Sequence, residues 1–210
     1  YPGQFIPIFE RNGFCAALDM YMTEQVCRQL RRWRDENGQV VPVSVNQSKI
    51  LFYEADYVER MEKLIKKYQV PAEWITLEIL EGLAMENIDK LNQVILRLKK
   101  IGFRISMDDF GSGYSSLNIL GNLRIDELKL DKGFFKELEG ADRRRQTIII
   151  EHIIEISKSL KISTVAEGIE TEGDQQMVRD LDCDYGQGYY YCRPVPVEEF
   201  NEKYMKKGEA

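Results

Sequence analysis

Short β-rich runs alternate with longer amphipathic segments along the whole chain. Residues 17–36 carry Leu18, Val26, Leu30 and Trp33 at roughly helical spacing and end on Asn37-Gly38, which predicts a helix with a glycine stop. Residues before it read as a loop. PVSVN (42–46) predicts a strand, Ala55 to Tyr68 a helix closed by Pro71, and ITLEI (75–79) a second strand. Glu86 to Lys100 reads as another amphipathic helix, and RISMD (104–108) as the third strand. After a helical turn around Ser116 to Gly121, DELKLD (126–131) is the fourth strand. A long helix over 142–160 is expected, with Ile149, Ile153, Ile156 and Leu160 on one face. STVAE (163–167), a helix from Glu172 to Leu181, a strand in Tyr185 to Tyr190 and a helix near Val197 to Met205 complete the pattern, followed by a charged tail. Strict alternation implies parallel strands with crossover helices, hence an α/β fold. No linker, repeat or change of composition divides residues 1–210, so one domain is expected.

The polar residues decide between a doubly wound sheet and a closed barrel. Nearly every expected strand ends in, or carries, a reactive side chain: Asn46, Glu78, Asp108 with Asp109, Lys129, Glu167 with Glu170, and Gln187 between two glycines. A doubly wound sheet would concentrate its site at one switch point behind a glycine-rich loop after the first strand, and no such loop is present. Groups spread over six successive strand ends converge if the sheet closes, as in a (β/α)8 barrel. Six strands are too few for that architecture, which typically needs eight and ~250 residues. About two strands, or roughly 40 residues, are therefore expected before Tyr1.

Composition narrows the chemistry. A formal charge of −6 argues against a broad DNA-binding or anionic-membrane surface, so local basic groups or cations must attract any phosphate ligand. No apolar run is long enough to span a bilayer, and YPGQF lacks the features of a signal peptide. Cys15, Cys27, Cys183 and Cys192 show no CxxC spacing and His152 is the single histidine, which disfavours a zinc site or a nucleophilic triad. The thiols read as reduced core residues of a cytoplasmic domain.

Adjacent carboxylates repel, and ISMDDFGSGYSS (105–116) sets two of them side by side. Glu78, Asp108, Asp109, Glu167 and Glu170 against Lys129 leave four negative charges, which two divalent cations would balance. Hard oxygen donors with one amide suit Mg²⁺ or Mn²⁺, and a two-metal site suits in-line phosphoryl displacement. Taken singly, each residue has a quieter reading. The aspartate pair reads as a turn or helix cap, Glu78 as a solvated edge residue, and Asn46 as a cap. Lys129 reads as surface or a Schiff-base lysine, and the tyrosines near Gln187 as core. Their joint placement favours the metal site.

FIPIFERNG (5–13), SVNQS (44–48), LEILE (77–81), MDDFGSGYSSL (107–117), LKLDKGF (128–134), VAEGIET (165–171) and YGQGYYYCRPVP (185–196) follow, in order, the motifs of the EAL-domain family, which the chain resembles. The resemblance implies a modified (β/α)8 barrel, here lacking about its first two strands, that hydrolyses cyclic di-GMP to linear pGpG with Mg²⁺ or Mn²⁺. It implies a homodimer and an attached sensory or GGDEF-type domain. By motif, Asn46, Glu78 and Asp108 resemble ligands of one metal, and Asp108, Asp109 and Glu167 ligands of, or neighbours to, the second. Lys129 resembles the lysine that positions or activates the attacking water, with Glu170 orienting it, and Glu167 resembles a third catalytic group beside them. Gln187 and Asp109 resemble substrate-binding residues, and Glu81 resembles the anchor of the loop over 110–116. Arg193-Pro194 fits the motif in a structural role.

The family's Glu-Ala-Leu segment, with a further metal-ligating glutamate, and its substrate-holding arginine are expected upstream of Tyr1. A chain truly starting there would be expected to show little activity. Gln47 and Gly82 stand where the family usually has an apolar residue and a serine or threonine. Two rivals remain open: a non-catalytic cyclic di-GMP receptor or dimerisation module, and a metal-dependent enolising barrel.

Overall fold

The computed structural model describes residues 2–111, 117–135 and 140–205. Ser112 to Ser116, the centre of the expected loop, and the charged tail from residue 206 lie outside the described residues. The chain divides into two compact units, one formed by Tyr1–Ile79, Asp89–Ile105 and Val195–Ala210, the other by Leu80–Ile88 and Ser106–Pro194.

The first unit opens with helix α1 (Pro2–Asn12), where the sequence suggested a loop. Pro7 lies inside it, and its carbonyl accepts from Arg11 Nε one turn later. Helix α2 (Cys15–Asn37) ends on Gly38 in the left-handed region, the stop its sequence announces. Its core stripe is Thr23, Cys27, Leu30 and Trp33, while Leu18 and Val26 are half-buried. Strand β1 (Val43–Asn46) pairs in parallel with β2 (Ile75–Leu80), setting Asn46 opposite Glu78. Every residue of β2 from Ile75 to Ile79 is buried, as expected of a parallel strand covered on both faces. Helix α3 (Tyr57–Tyr68) joins these strands and buries Tyr57, Val58, Met61 and Ile65. Helix α5 (Ile88–Ile101) buries Leu91, Ile95 and Leu98, and α9 (Val197–Tyr204) sets Phe200 against Trp33.

The second unit begins with the short helix α4 (Glu81–Glu86) and takes up strand β3 (Arg104–Phe110) from Ser106 onward. Helix α6 (Leu117–Asn122) leads to β4 (Glu127–Leu130), helix α7 (Gly140–Ser159) to β5 (Ser163–Ala166), and α8 (Glu172–Asp180) to β6 (Tyr185–Gly186). All four strands pair in parallel in chain order. The expected α/β class is therefore present in both units.

The structure departs from or refines the expected pattern at three points. The sixth strand is two residues long, so Gln187 falls just beyond it rather than on it. Helix α7 buries Ile150, Ile153, Ile154 and Ser157, whereas Ile149, Ile156 and Leu160 are exposed. Its isoleucine-rich sequence offers two neighbouring stripes, and periodicity alone selects neither. Ser157 can join the buried stripe because its hydroxyl donates to the Ile153 carbonyl one turn back, at 2.8 Å. None of the four cysteines is in a disulfide; Cys15 and Cys27 are buried, but Cys183 and Cys192 are half-buried rather than core. Burial pushes the Cys27 thiol up to about 12, which leaves it unreactive. Among the described residues no helix is long and apolar enough to cross a membrane.

Candidate functional site

In the second unit the parallel register brings a lysine and carboxylates together. Lys129 on β4 lies opposite Val165 on β5. Side chains alternate along a strand, so Glu167, two residues on, emerges on the same side as Val165. Its carboxylate Oε1 lies 2.7 Å from Lys129 Nζ, and Asp108 Oδ1 lies 2.9 Å from the same nitrogen. The lysine side chain is 6% exposed, and those of Asp108 and Glu167 are 14% and 18% exposed, so the pairs are largely shielded from water.

The adjacent aspartates share this site through a break in β3. Met107 pairs with Leu128 but Phe110 with Leu130, so β3 takes three steps where β4 takes two. The extra residue makes a bulge, with Asp109 at φ +56 in the left-handed region. Aspartate is among the few residues that tolerate it, and the Asp109 N–H donates to Asp108 Oδ1 at 3.1 Å. The strand does not stop at Asp108, where the expected span of 104–108 ended; it bulges and runs on to Phe110. One carboxylate oxygen each from Asp108, Asp109 and Glu167 lies within 4.8 Å of the others.

Burial raises the Asp109 carboxyl above its ordinary range, and repulsion from Asp108 and Asp131 adds to this against the pull of Lys129 and Lys132. Burial also raises Glu167, although the bond and charge of Lys129 draw it back. The cluster is thus short of positive charge even with its lysine. Three hard oxygen donors at this spacing fit a divalent cation.

Two glycines of this unit pack too closely for a side chain. Gly111, at φ +98, donates its N–H to Glu81 Oε2 at 3.3 Å, and a Cβ there would fall 1.8 Å from the Phe134 ring. Gly188 packs so closely that a Cβ would meet the Ile169 carbonyl oxygen at 2.1 Å. Glu81 itself is buried in the first turn of α4.

The other expected residues are placed as follows. Asn46 is exposed at the end of β1 and Glu78 is buried on β2, both in the first unit. Glu170 is exposed, with its backbone N–H donating to Asp174 Oδ2 as α8 begins. Gln187 is exposed; its backbone N–H donates to the Ala166 carbonyl, and its carbonyl accepts from Ile169. Sequence reasoning overlooked Asp131, whose side chain accepts from Gly133 and caps a single 3₁₀ turn, Lys132–Phe134. An aspartate two residues before a glycine is the signal that marks this turn.

Parallel strands that deliver carboxylates and a lysine to one cluster define an α/β protein with a candidate cation-binding centre. Comparison with known proteins makes this more specific. The model of the EAL domain family matches residues 1–194, and the chain belongs to that family. It is similar to the bifunctional diguanylate cyclase/cyclic di-GMP phosphodiesterase MucR of Pseudomonas aeruginosa, with 34% identity over 198 residues, 94% of this chain and 29% of that protein. It is also similar to the signaling protein YkoW of Bacillus subtilis, with 32% identity over 201 residues, 96% of this chain and 25% of that protein. The chain thus spans between a quarter and a third of the length of these two relatives. Among solved structures it is similar to the PaMucR phosphodiesterase in complex with c-di-GMP, with TM-score 0.86 and 34% identity over 95% of this chain and 80% of that one. The EAL enzyme Bd1971 with cAMP and cyclic-di-GMP bound gives TM-score 0.87 and 26% identity over 96% of this chain and 55% of that one.

Proposed function

We propose that the chain hydrolyses cyclic di-GMP to linear pGpG, using Mg²⁺ or Mn²⁺ held by carboxylates at its strand ends. The observation that carries this reading is the Asp108, Asp109 and Glu167 cluster around Lys129, in a chain similar to proteins named as cyclic di-GMP phosphodiesterases. Asp108, Asp109 and Glu167 would hold a cation; Asn46 and Glu78 are assigned as further ligands on the resemblance alone. Bound cations would lower the pKa of water and draw in the anionic diester, which an acidic protein cannot attract by surface charge. Lys129, 2.9 Å from Asp108 and 2.7 Å from Glu167, would hold and orient a water oxygen. Glu170 supports that lysine, Gln187 contacts the substrate, and Glu81 anchors the loop that follows Asp109. On the family resemblance alone the chain acts as a homodimer in the cytoplasm. That it belongs to a larger protein with sensory or GGDEF-type parts is supported by relatives named as a bifunctional diguanylate cyclase/cyclic di-GMP phosphodiesterase and an oxygen sensor protein.

Incubating the full-length protein with cyclic di-GMP and Mg²⁺ or Mn²⁺ tests the reading. Release of pGpG that chelator abolishes, and that Asp108→Asn or Lys129→Ala removes, is the expected result. Tight binding of cyclic di-GMP without pGpG would overturn it in favour of a receptor.

A further inference from the structure

The first unit holds a polar network in its core. Gln47 is 3% exposed, and Thr23 and Tyr57 are fully buried. The Gln47 Nε2 group donates to the Asn46 carbonyl at 2.8 Å and to Thr23 Oγ1 at 3.2 Å, while Gln47 Oε1 accepts from the Tyr57 hydroxyl at 2.8 Å. The chemistry of the partners fixes the orientation of this amide. A backbone carbonyl only accepts, so the NH₂ group must face Asn46. The Thr23 hydroxyl is committed as donor to the Asp19 carbonyl at 2.8 Å, so towards Gln47 it accepts. Both amide hydrogens and the amide oxygen are therefore in use.

Neighbouring bonds extend the grip. The Gln47 N–H donates to the Glu78 carbonyl at 2.9 Å, and the Ser48 N–H to Asp19 Oδ2 at 2.7 Å. Residues 46 to 48 are thus held by α2, α3 and β2. An apolar side chain at 47 would fill the same space without any bond to the Asn46 carbonyl. Burying an amide in place of a hydrocarbon carries a desolvation penalty, which a saturated network offsets without exceeding by much. Its distinct effect is geometric.

We propose that Gln47 is a positioning residue, which holds the backbone at Asn46 and thereby sets the affinity for the cation assigned to Asn46. The inference rests on the functional reading above. Asn46 is exposed, so its direction depends on the backbone that carries it rather than on packing of its side chain.

The test is the Gln47→Leu/Tyr57→Phe double variant of the full-length protein. It removes the amide together with the hydroxyl that the amide satisfies, and leaves Thr23 bonded to Asp19. Mn²⁺ affinity is measured by calorimetry, alongside the Mn²⁺ dependence of turnover and urea unfolding in chelator. The expected result is a dissociation constant for Mn²⁺ raised about tenfold, the low end of what loss of an outer-shell partner produces. Turnover at saturating Mn²⁺ and the metal-free unfolding midpoint stay near the parent's. Unchanged Mn²⁺ affinity overturns the inference alone, as does a loss of affinity matched by a fall in metal-free stability. A parent protein that binds no Mn²⁺ removes the functional reading, and the inference with it.

Discussion

Replacing Lys129 with methionine separates the electrostatics of the cluster from its shape. The side chain is of similar length and apolar, so packing on β4 is largely kept while the charge is lost. That charge lies 2.9 Å from Asp108 and 2.7 Å from Glu167, and all three side chains are less than a fifth exposed. Removing one partner of a buried ion pair costs about 3–5 kcal/mol, because the remaining charge is left uncompensated. Residual solvent at the two carboxylates favours the lower end, about 3 kcal/mol near neutral pH in chelator. Two further consequences separate this cause from simple mispacking. Protonation removes the uncompensated charge, so the loss should shrink under mildly acid conditions. A divalent cation can replace the ammonium, and at a hundred times its dissociation constant it stabilises by about 2.7 kcal/mol. Excess Mn²⁺ should therefore restore most of the stability without restoring turnover. Urea unfolding followed by the fluorescence of Trp33 and Trp74, with chelator or Mn²⁺ and at two pH values, measures each part. Equal stability of variant and parent in chelator would refute the reasoning, as would a loss unaffected by acid.

Three further outcomes are expected. Gly111→Ala places a Cβ 1.8 Å from the Phe134 ring at φ +98, and should destabilise the protein by about 2–4 kcal/mol in urea unfolding while weakening Mn²⁺ binding. Asp109 and Glu167 have raised folded-state values, so the metal-free folded state binds protons more tightly than the unfolded chain does. The stability they contribute is full below their unfolded values near 3.8 and 4.5, and is lost as pH rises through the raised folded ones. Mn²⁺ competes with those protons, so its affinity should climb over the same window; a flat calorimetric pH profile would contradict this. Thr171→Ala removes the capping box in which Thr171 and Asp174 satisfy each other's backbone N–H, and should cost about 1 kcal/mol in unfolding experiments.

The alternation of strands and helices was legible because each strand is bounded by turn residues and each helix carries an apolar stripe. Gly38 and Pro71 mark boundaries that the structure respects closely. Helix α1 was missed because Pro2, Gly3 and Pro7 argue locally against a helix. Which face of α7 packs inward was not legible because Ile149 and Ile150 are chemically equal, and only the packed neighbours distinguish them. At the site, residue types singled out Asp108, Asp109, Lys129 and Glu167, which the structure gathers into one cluster. The pairing of Lys129 with Asp108 and Glu167 depends on register and on a one-residue bulge, and neither has a separate signature in MDDF. The Gln47 network was hidden for a different reason: a polar residue at an expected core position reads as an exception until its three partners are seen together.

The bulge also explains why the two aspartates are adjacent at all. On an unbroken strand, Asp108 and Asp109 would face opposite sides, and one would have to be buried in apolar packing or exposed to no purpose. The left-handed turn at Asp109 avoids that, but it leaves two carboxylates, and Glu167 beyond them, competing for one lysine. Such an arrangement is poorly matched to the stability of the metal-free protein, as the upward shifts of Asp109 and Glu167 indicate. Gly111 fixes the backbone immediately after it, through a conformation that a side chain would prevent and a bond to buried Glu81. A strained backbone, a packed glycine and an excess of negative charge gathered at one point are hard to account for as packing alone. They are what a protein requires if a cation is to complete the site.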